Sequence, residues 1–524
     1  MTETEGWNSG IARAELRLAD VEFELRAETG ERIWNRDAGL WAVGEDDPAD
    51  RLGWLDLPST MEDRVPEFQA AAEQVRGDGF ADIALLGMGG SSLAPEMYAR
   101  TLGGARGYPS LRVLDTTHPD EIEEAARALD LDRTLFLVSS KSGGTLETMS
   151  LYRYFRGLVP EGDKFVAITD AGTSLDQLAR EEGFRAVFHS PSDVGGRYSA
   201  LAPFGLLPAA LTGIDVASLL SRAKSMSASC GPHTEAADNP GLVLGQAMGA
   251  LALRERHALT FLASDPIASL AVWIEQLLAE STGKGGRGVV PVVGEPEVEP
   301  GFYGNDRSFV YLRLEGDDTR DEFADELVAW GHPVITVPVA GEYELGAEIF
   351  RWEFATAVAG AVLGVNPFDQ PDVEAAKHAG REALESNDSV EWPDEDPAEL
   401  FGASRPGELA ALLVFAARSP RAEEIMAAGR RRLVVEQGLA TTAGFGPRYL
   451  HSTGQLHKGG PPGLRALVVL EAPAESLEVP GAEYDFADLV SAQAAGDARA
   501  LENAGREVSR TSWERFEVWA QGRS

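Results

Sequence analysis

The stretch TLFLVSSKSGGTLET, residues 134–148, joins an apolar run to a turn rich in glycine and hydroxyl side chains. A second stretch, DIALLGMGGSS at residues 82–92, also joins an apolar run to a turn rich in glycine and serine. A short apolar run followed by such a turn and a helical pattern is typical of a strand that leads into a helix. Both stretches therefore predict βα units, with their turns at the carboxyl ends of parallel strands.

The alternation of strands and helices continues on either side of these two stretches. PDEIEEAARAL at 119–129 is a predicted helix with proline at its start. Proline is favoured there because an N–H at the first helical position would have no partner within the helix. This alternation predicts an α/β protein in which two units of similar architecture each contain a parallel sheet. Further strands are predicted at 111–115, 164–169 and 185–189 in the first unit, and at 258–264, 288–294, 308–314 and 333–339 in the second.

Size and charge narrow the possible functions. The chain has 524 residues with 44% hydrophobic content, enough for two or three packed units, and no stretch is apolar enough to cross a membrane. Its net charge of −38 disfavours nucleic acid and anionic membrane surfaces as partners. Cys230 is the only cysteine, and the acidic N-terminus does not resemble a secretory signal. We therefore expect a cytoplasmic protein without an intramolecular disulfide.

Three interpretations of the two glycine-rich turns compete. They could be ordinary turns in which serine and threonine cap the following helices. They could also bind a dinucleotide, with Asp115 holding a ribose, although GMGGSS departs from the GxGxxG pattern. Finally, backbone N–H groups at helix N-termini and the hydroxyls of Ser140, Ser142 and Thr145 could bind the phosphate of a sugar phosphate. Only the sugar-phosphate interpretation explains both turns together.

Two further segments contain side chains suited to proton transfer. In DVGGRYS (193–199), Arg197 follows two glycines and could stabilise an enediolate oxyanion, or could pair with a surface carboxylate. Glu280 lies in the last turn of a predicted helix, where the helix dipole disfavours a carboxylate. It is a candidate general base, and Gln276 shares its helix face. A solvated surface glutamate is the alternative.

The later part of the chain adds a lysine and two histidines. Lys377 follows Gln370 by seven positions, which places them on about the same side of a helix, although a solvated helix charge is equally compatible. His451 is a candidate acid–base group, because imidazole titrates near pH 6.5. His457 is its rival in the same loop. No third ligand or supporting partner is evident, so we expect no metal site.

Together these segments resemble the phosphoglucose isomerase family, in particular the isomerase portion of transaldolase–phosphoglucose isomerase fusions. The resemblance covers roughly residues 80–470. It implies two sugar-isomerase (SIS) domains, each an αβα sandwich with a parallel sheet, and interconversion of glucose 6-phosphate and fructose 6-phosphate without a cofactor. The motifs that carry it are GMGGSSLAP (87–95), SSKSGGTLET (139–148), DVGGRYS (193–199), EQLLAESTGKGGRG (275–288), LGVNPFDQP (363–371) and HSTGQLHKGG (451–460).

The resemblance also implies roles for individual residues. Glu280 would carry the proton between C1 and C2, Arg197 would stabilise the enediolate, and His451 with Lys377 would open the sugar ring. Gln276 and Gln370 would line the sugar. The phosphate would be held by Gly90, Ser91, Ser140, Lys141, Ser142 and Thr145.

The order of the motifs departs from most family members. His451 follows Lys377 here, whereas the histidine motif usually lies between the glutamate and lysine motifs. In the usual family dimer the histidine serves the partner's site, so the sequence leaves open whether His451 acts in its own chain. We expect a homodimer. The implied boundaries are an N-terminal extension at 1–80, SIS domains at 81–235 and 236–390, and a smaller mixed C-terminal segment at 391–524, after an acidic linker near 386–399.

Three alternatives remain open at this stage. A broader isomerase would also accept mannose 6-phosphate, because one hydroxyl's stereochemistry separates the two aldoses. A non-catalytic SIS sensor would keep the SSKSGGT turn without needing the catalytic set, and would usually carry a DNA-binding helix pair, which the charge of −38 disfavours. An NAD-dependent redox enzyme is the third.

Overall fold

A computed structural model describes residues 15–17, 26–42, 44, 47–372, 384 and 392–523. The strands in these ranges form three sheets. The strands are β1 (Glu15–Arg17), β2 (Asp82–Gly87), β3 (Ser110–Leu114), β4 (Thr134–Ser139), β5 (Phe165–Asp170), β6 (Ala186–Ser190), β7 (Ala258–Ala263), β8 (Val290–Val292), β9 (Arg307–Leu314), β10 (Val334–Val339), β11 (Leu409–Phe415), β12 (Ala440–Phe445), β13 (Leu464–Leu470) and β14 (Glu507–Ser512).

Helices lie between the strands of all three sheets. They are α1 (Ala27–Trp34), α2 (Leu57–Thr60), α3 (Val65–Gly77), α4 (Leu93–Leu102), α5 (Pro119–Ala128), α6 (Leu146–Leu158), α7 (Ser174–Glu181), α8 (Pro203–Leu211), α9 (Val216–Ser229), α10 (Pro240–Leu253), α11 (Ala268–Thr282), α12 (Asp321–Ala329), α13 (Leu345–Leu363), α14 (Pro397–Gly402), α15 (Pro420–Gln437), α16 (Gly454–Gly459), α17 (Phe486–Asn503) and α18 (Trp513–Ala520). Within the described ranges, no helix is both long and apolar enough to cross a bilayer.

The first two sheets confirm the prediction of an α/β fold with parallel sheets. The first has the strand order β3-β2-β4-β5-β6 and is parallel throughout. The second has the order β1-β10-β9-β7-β8 and is parallel except for β1, which the sequence analysis did not predict. In both sheets the strand order reverses next to a central strand, and such switch points open a crevice at the carboxyl ends of the strands.

The main core lies between these two sheets and the helices that pack on them. Helix α13 is apolar around most of its circumference, as a fully enclosed helix must be. Its aromatic residues Phe350 and Phe354 pack against Trp54 and Trp34 from the N-terminal part of the chain. The tryptophans of this early segment are therefore part of the core of the first two units.

The C-terminal segment contains a third parallel sheet, with the order β12-β11-β13-β14. Its central strands β11 and β13 are apolar and buried almost throughout, as expected for parallel strands that are covered on both faces. The segment between β12 and α16 extends from this sheet toward the first unit, and it carries His451. The third unit thereby contributes to the crevice that the first two units form.

Candidate active site

The two glycine-rich turns lie side by side at the edge of the first sheet. Strands β2 and β4 are hydrogen-bonded neighbours, and Gly87 at the end of one is paired with Ser139 at the end of the other. Each turn then leads into a helix, α4 or α6, which begins directly behind it. Because β2 and β4 flank the switch point of the sheet, the two turns share one crevice.

Glycine in the first turn allows two other segments to approach closely. A Cβ on Gly90 would lie 2.0 Å from the carbonyl oxygen of Gly196, which precedes Arg197. A Cβ on Gly89, whose φ is +54°, would lie 2.5 Å from the carbonyl oxygen of His451. No side chain fits at these distances, so the turn packs directly against the segments that carry the arginine and the histidine.

The second turn presents a cluster of hydroxyl groups. The Oγ of Ser140 lies 2.9 Å from the Oγ1 of Thr145, and it accepts a hydrogen bond of 3.1 Å from the N–H of Gly143. Ser142 is exposed at the tip of the turn. The ammonium of Lys141 instead pairs with Asp170 and donates to the carbonyl oxygen of Ser192. The hydroxyls of Ser140 and Thr145 are therefore clustered within the turn, while Lys141 fixes the turn to Asp170.

Arg197 is held at the meeting point of the first two units. Its Nε donates to Ser281 Oγ at 2.8 Å and its Nη1 to Gln370 Oε1 at 2.9 Å. Its Nη2 donates to the carbonyl oxygens of Pro367 and Asp369, both at 2.8 Å. The guanidinium is thus fixed in orientation, and Nη1 is the group turned toward the last turn of α11.

Glu280 is the carboxylate that Arg197 faces. Its Oε1 lies 3.4 Å from Arg197 Nη1, and its Oε2 accepts a hydrogen bond of 3.1 Å from Gln276. Gln276 also donates to the carbonyl oxygen of His451 at 2.8 Å. Glu280 is only 6% exposed, so the neighbouring guanidinium compensates for burying its charge near a helix C-terminus.

His451 reaches the same crevice from the third unit. Its Nε2 lies 2.9 Å from Oε1 of Glu147, which also accepts a hydrogen bond of 2.8 Å from Gln493. Gln493 Oε1 in turn accepts a hydrogen bond of 2.7 Å from the hydroxyl of Thr117. The histidine ring is therefore oriented by a carboxylate of α6 that is itself fixed by hydrogen bonds.

Comparisons with known proteins identify the family of the chain. The family model described as phosphoglucose isomerase matches residues 60–290. Glucose-6-phosphate isomerase of Rubrobacter xylanophilus is 33% identical, and the match covers 69% of this chain and 94% of that protein. The chain belongs to the phosphoglucose isomerase family. Glucose-6-phosphate isomerase of Carboxydothermus hydrogenoformans, another relative, is 29% identical over 66% of this chain and 89% of its own length.

Solved structures support the family's fold. A hypothetical protein from Thermus thermophilus aligns with 68% of this chain and 94% of its own, with a TM-score of 0.59 and 25% identity. A glucose-6-phosphate isomerase from Chlamydia trachomatis aligns with 68% of this chain and 78% of its own, with a TM-score of 0.55 and 20% identity. The likeness to the second structure concerns the fold alone.

Most of the residues that the family resemblance singled out lie around this one crevice. They are Gly90, Ser91, Ser140, Ser142, Thr145, Arg197, Gln276, Glu280, Gln370 and His451. Lys141 lies beside it, in its pair with Asp170. Lys377 falls outside the described residues.

His457, the rival of His451, is enclosed in the third unit. Its Nε2 lies 3.0 Å from Thr442 Oγ1, and its side chain packs near Tyr449. Burial, together with the positive charges of Lys458 and Arg506, lowers its pKa to about 3. The imidazole is therefore neutral at physiological pH and has no access to the crevice that holds Glu280.

Asp115 has a different role from the ribose ligand of the dinucleotide hypothesis. Its Oδ2 accepts a hydrogen bond of 3.0 Å from Ser92 Oγ and one of 2.8 Å from Arg448 Nη1. The carboxylate is thus occupied by the first turn and by the third unit. In the described part of the chain, no three or more His, Cys, Asp or Glu side chains are grouped as metal ligands would be.

Two residues of the crevice had no assigned role in the sequence analysis. One is Glu147, the partner of His451, which the SSKSGGTLET motif contains without indicating its contact. The other is Lys284, whose Nζ lies 2.8 Å from Asp369 Oδ1 and also donates to the carbonyl oxygen of Asn366. Burial and the nearby Arg197 lower the pKa of Lys284 to about 7. Its position fixes the 366–370 loop that also binds Arg197.

Proposed function

We propose that the protein is a glucose-6-phosphate isomerase, which interconverts glucose 6-phosphate and fructose 6-phosphate. Membership of the phosphoglucose isomerase family and the names of its relatives support this activity. The observation that carries the proposal for this chain is the position of Glu280. Its buried carboxylate lies 3.4 Å from Arg197 and shares a crevice with two hydroxyl-rich turns and His451.

The substrate's phosphate would bind at the two turns. The N–H of Gly90, the hydroxyls of Ser91 and Ser142, and one hydroxyl of the hydrogen-bonded pair Ser140 and Thr145 would be the donors there, since the N–H of Ser91 already donates to Met88. Helices α4 and α6 begin directly behind these groups. The charge of Lys141 would add to the attraction from the side of the second turn. Binding the phosphate away from the reacting carbons supplies energy that positions C1 and C2.

Ring opening would be the task of His451. A proton must reach the ring oxygen while another leaves the anomeric hydroxyl, and an imidazole can donate or accept one at neutral pH. Glu147 would keep the imidazole oriented, since its carboxylate lies 2.9 Å from Nε2. Lys377 remains the sequence-based candidate for the second ring-opening group.

Isomerisation would follow at Glu280. The carboxylate takes the proton from C2 of the open-chain aldose, which leaves a cis-enediol(ate). A proton moves from the oxygen on C2 to the oxygen on C1, and the carboxylate returns its own proton to C1 to give the ketose. Arg197 Nη1 would stabilise the developing negative charge on oxygen, exchanging part of its present bond to Gln370 for one to the substrate. Gln276 and Gln370 would line the sugar.

We further propose that His451 acts in its own chain. The third unit already brings the histidine within hydrogen-bonding distance of Glu147 of the same chain, so the crevice needs no histidine from a partner. The homodimer, the cytoplasmic location and the domain boundaries remain predictions from the sequence.

A coupled assay tests the proposal. Purified protein is given fructose 6-phosphate in the presence of a chelator, and formation of glucose 6-phosphate is followed by a specific dehydrogenase. We expect turnover by the wild-type protein. A parallel assay for mannose 6-phosphate would distinguish a broader isomerase, and binding of the sugar phosphate without turnover would instead indicate a sensor.

A further inference from the structure

Arg448 connects the histidine segment to the first unit. It lies three residues before His451, and its Nη1 donates to Asp115 Oδ2 at 2.8 Å, while its Nη2 pairs with Glu96. The side chains of Arg448 and Glu96 are each 14% exposed, and that of Asp115 is 8% exposed. These ion pairs are therefore largely shielded from water. The attraction between their opposite charges is stronger than in pairs on the surface.

The acidic partners of Arg448 lie next to the predicted phosphate site. Asp115 also accepts a hydrogen bond of 3.0 Å from Ser92, which directly follows Ser91 in the first turn. Glu96 lies in the first turns of helix α4, which begins right after Ser92. The guanidinium of Arg448 thus bonds to two carboxylates next to the first turn, and the same segment of chain carries His451.

The charges around this cluster favour ionised pairs. Burial alone would raise the pKa of Glu96, but the positive charges of Arg448, Arg418 and Arg100 lower it to about 2. Arg418 lies 3.6 Å from Glu96, and Glu275 also faces Arg448 from helix α11. The pair of Arg448 and Glu96 is therefore charged at neutral pH, whereas burial raises the pKa of Glu275 to about 7.

We propose that Arg448 is a positioning residue for ring opening: through Asp115 and Glu96 it fixes His451 relative to the phosphate turn. The inference rests on the proposed function. Gln276 and Glu147 hold the carbonyl and the ring of His451, and they lie on helices α11 and α6 respectively. The first turn touches the histidine segment directly only by packing, where Gly89 meets the backbone of His451. Arg448 adds the ion pairs that fix this packing, so without it the separation between a bound sugar and the imidazole is less firmly fixed.

The test uses the full-length chain with Arg448→Gln and Arg448→Lys. For each we would measure kcat and KM for glucose 6-phosphate, the rate of its anomerisation, and inhibition by 5-phosphoarabinonate. Anomerisation requires ring opening but no transfer of the C2 proton. Binding of the inhibitor, which has no ring, does not require ring opening. We expect Arg448→Gln to lower isomerisation and anomerisation together by about 10²-fold, as for a misplaced catalytic group. Inhibition by the acyclic compound should stay within about threefold, which is a small free-energy difference.

The conservative variant and a matched control separate positioning from general stability. Arg448→Lys keeps the charge and should recover part of the lost rate. Arg465 is a matched control, because it is also a buried arginine of the third unit bound to two carboxylates, Glu408 and Glu507. It lies at the opposite end of the sheet, at the start of β13. Arg465→Gln should leave both rates near those of the wild type.

Several outcomes would overturn the inference. Wild-type rates of isomerisation and anomerisation in a folded Arg448→Gln protein would do so. A loss of affinity for the acyclic inhibitor as large as the loss of rate would also do so, because it would indicate damage to the phosphate turn. If Arg448→Gln does not fold, Asp115→Asn removes one charge while keeping a hydrogen-bond acceptor, and the same split between rate and inhibition is expected. A wild-type protein without any turnover would instead contradict the proposed function.

Discussion

The Nε2 of His451 lies 2.9 Å from Oε1 of Glu147, although the two residues are far apart in the sequence and belong to different units. The carboxylate orients the imidazole. The pair brings a histidine from the third unit into the crevice of the first. In the proposed mechanism, this pair positions the group that opens the sugar ring.

Glu147→Gln should therefore slow turnover without weakening substrate binding. The amide keeps the shape of the side chain but removes the charge, so we expect kcat to fall by about 10²-fold while KM changes little. Steady-state kinetics with glucose 6-phosphate measures this. The control is Glu123→Gln, which removes a carboxylate from a more exposed helix pair with Arg127 and should have no effect. An unchanged kcat for Glu147→Gln would refute the pairing as a functional one.

Glu280→Gln should abolish proton transfer while leaving the crevice intact. Glutamine can still bond to Gln276, but it cannot accept the proton from C2, so kcat should fall by about 10²–10⁴-fold. Exchange of the C2 hydrogen with solvent deuterium should be lost in parallel, as followed by NMR. Glu353 is a suitable control: it is a buried helical glutamate whose pKa burial raises well above its usual range, so Glu353→Gln replaces one neutral side chain by another. Near-normal turnover in Glu280→Gln would exclude it as the base.

The strands and the site motifs of the first two units could be predicted from the sequence because each depends on local pattern. Apolar runs such as TLFLVS place β4 within a residue of the prediction, and the glycine-rich turn that follows must lie at the carboxyl end of that strand. Where the third sheet lies, the sequence analysis predicts only a smaller mixed segment, although the runs LAALLVF and LRALVVL have the same apolar character. These runs are a local signal from which strands β11 and β13 are also predictable.

The partners of individual side chains could not be predicted in this way. Nothing local to Asp115 indicates that it bonds to Arg448, and nothing local to Lys284 indicates that Asp369 will bury it. Such contacts depend on how separate units pack, which sequence patterns do not report. The choice between His451 and His457 is of the same kind, because both lie in one short segment of sequence and only packing encloses the second.

Mixing two inactive variants tests whether His451 acts in its own chain. Glu280→Gln and His451→Ala are purified separately, then unfolded and refolded together so that any subunits can exchange. If each chain completes its own crevice, as the contact of His451 with Glu147 indicates, every site contains one defect and the mixture stays inactive. Separately refolded wild-type protein is the control for recovery. Restored activity in the mixture would mean that the histidine serves a partner's site.

The burial of His457 should make the folded protein sensitive to acid. Its pKa is about 3 when folded and about 6.5 when unfolded, so between these values the unfolded chain binds the additional proton. This contribution to stability is fully present above about pH 6.5. It is lost as the pH falls toward 3, at up to about 1.4 kcal/mol for each pH unit.

His457→Gln keeps a polar group for Thr442 but cannot be protonated, so its apparent free energy of unfolding should fall less steeply between pH 6.5 and 5. Urea denaturation followed by circular dichroism at several pH values measures the two slopes, with His233→Gln, at an exposed position, as the control. Parallel slopes for wild type and His457→Gln would show that the buried imidazole is not held neutral by the fold.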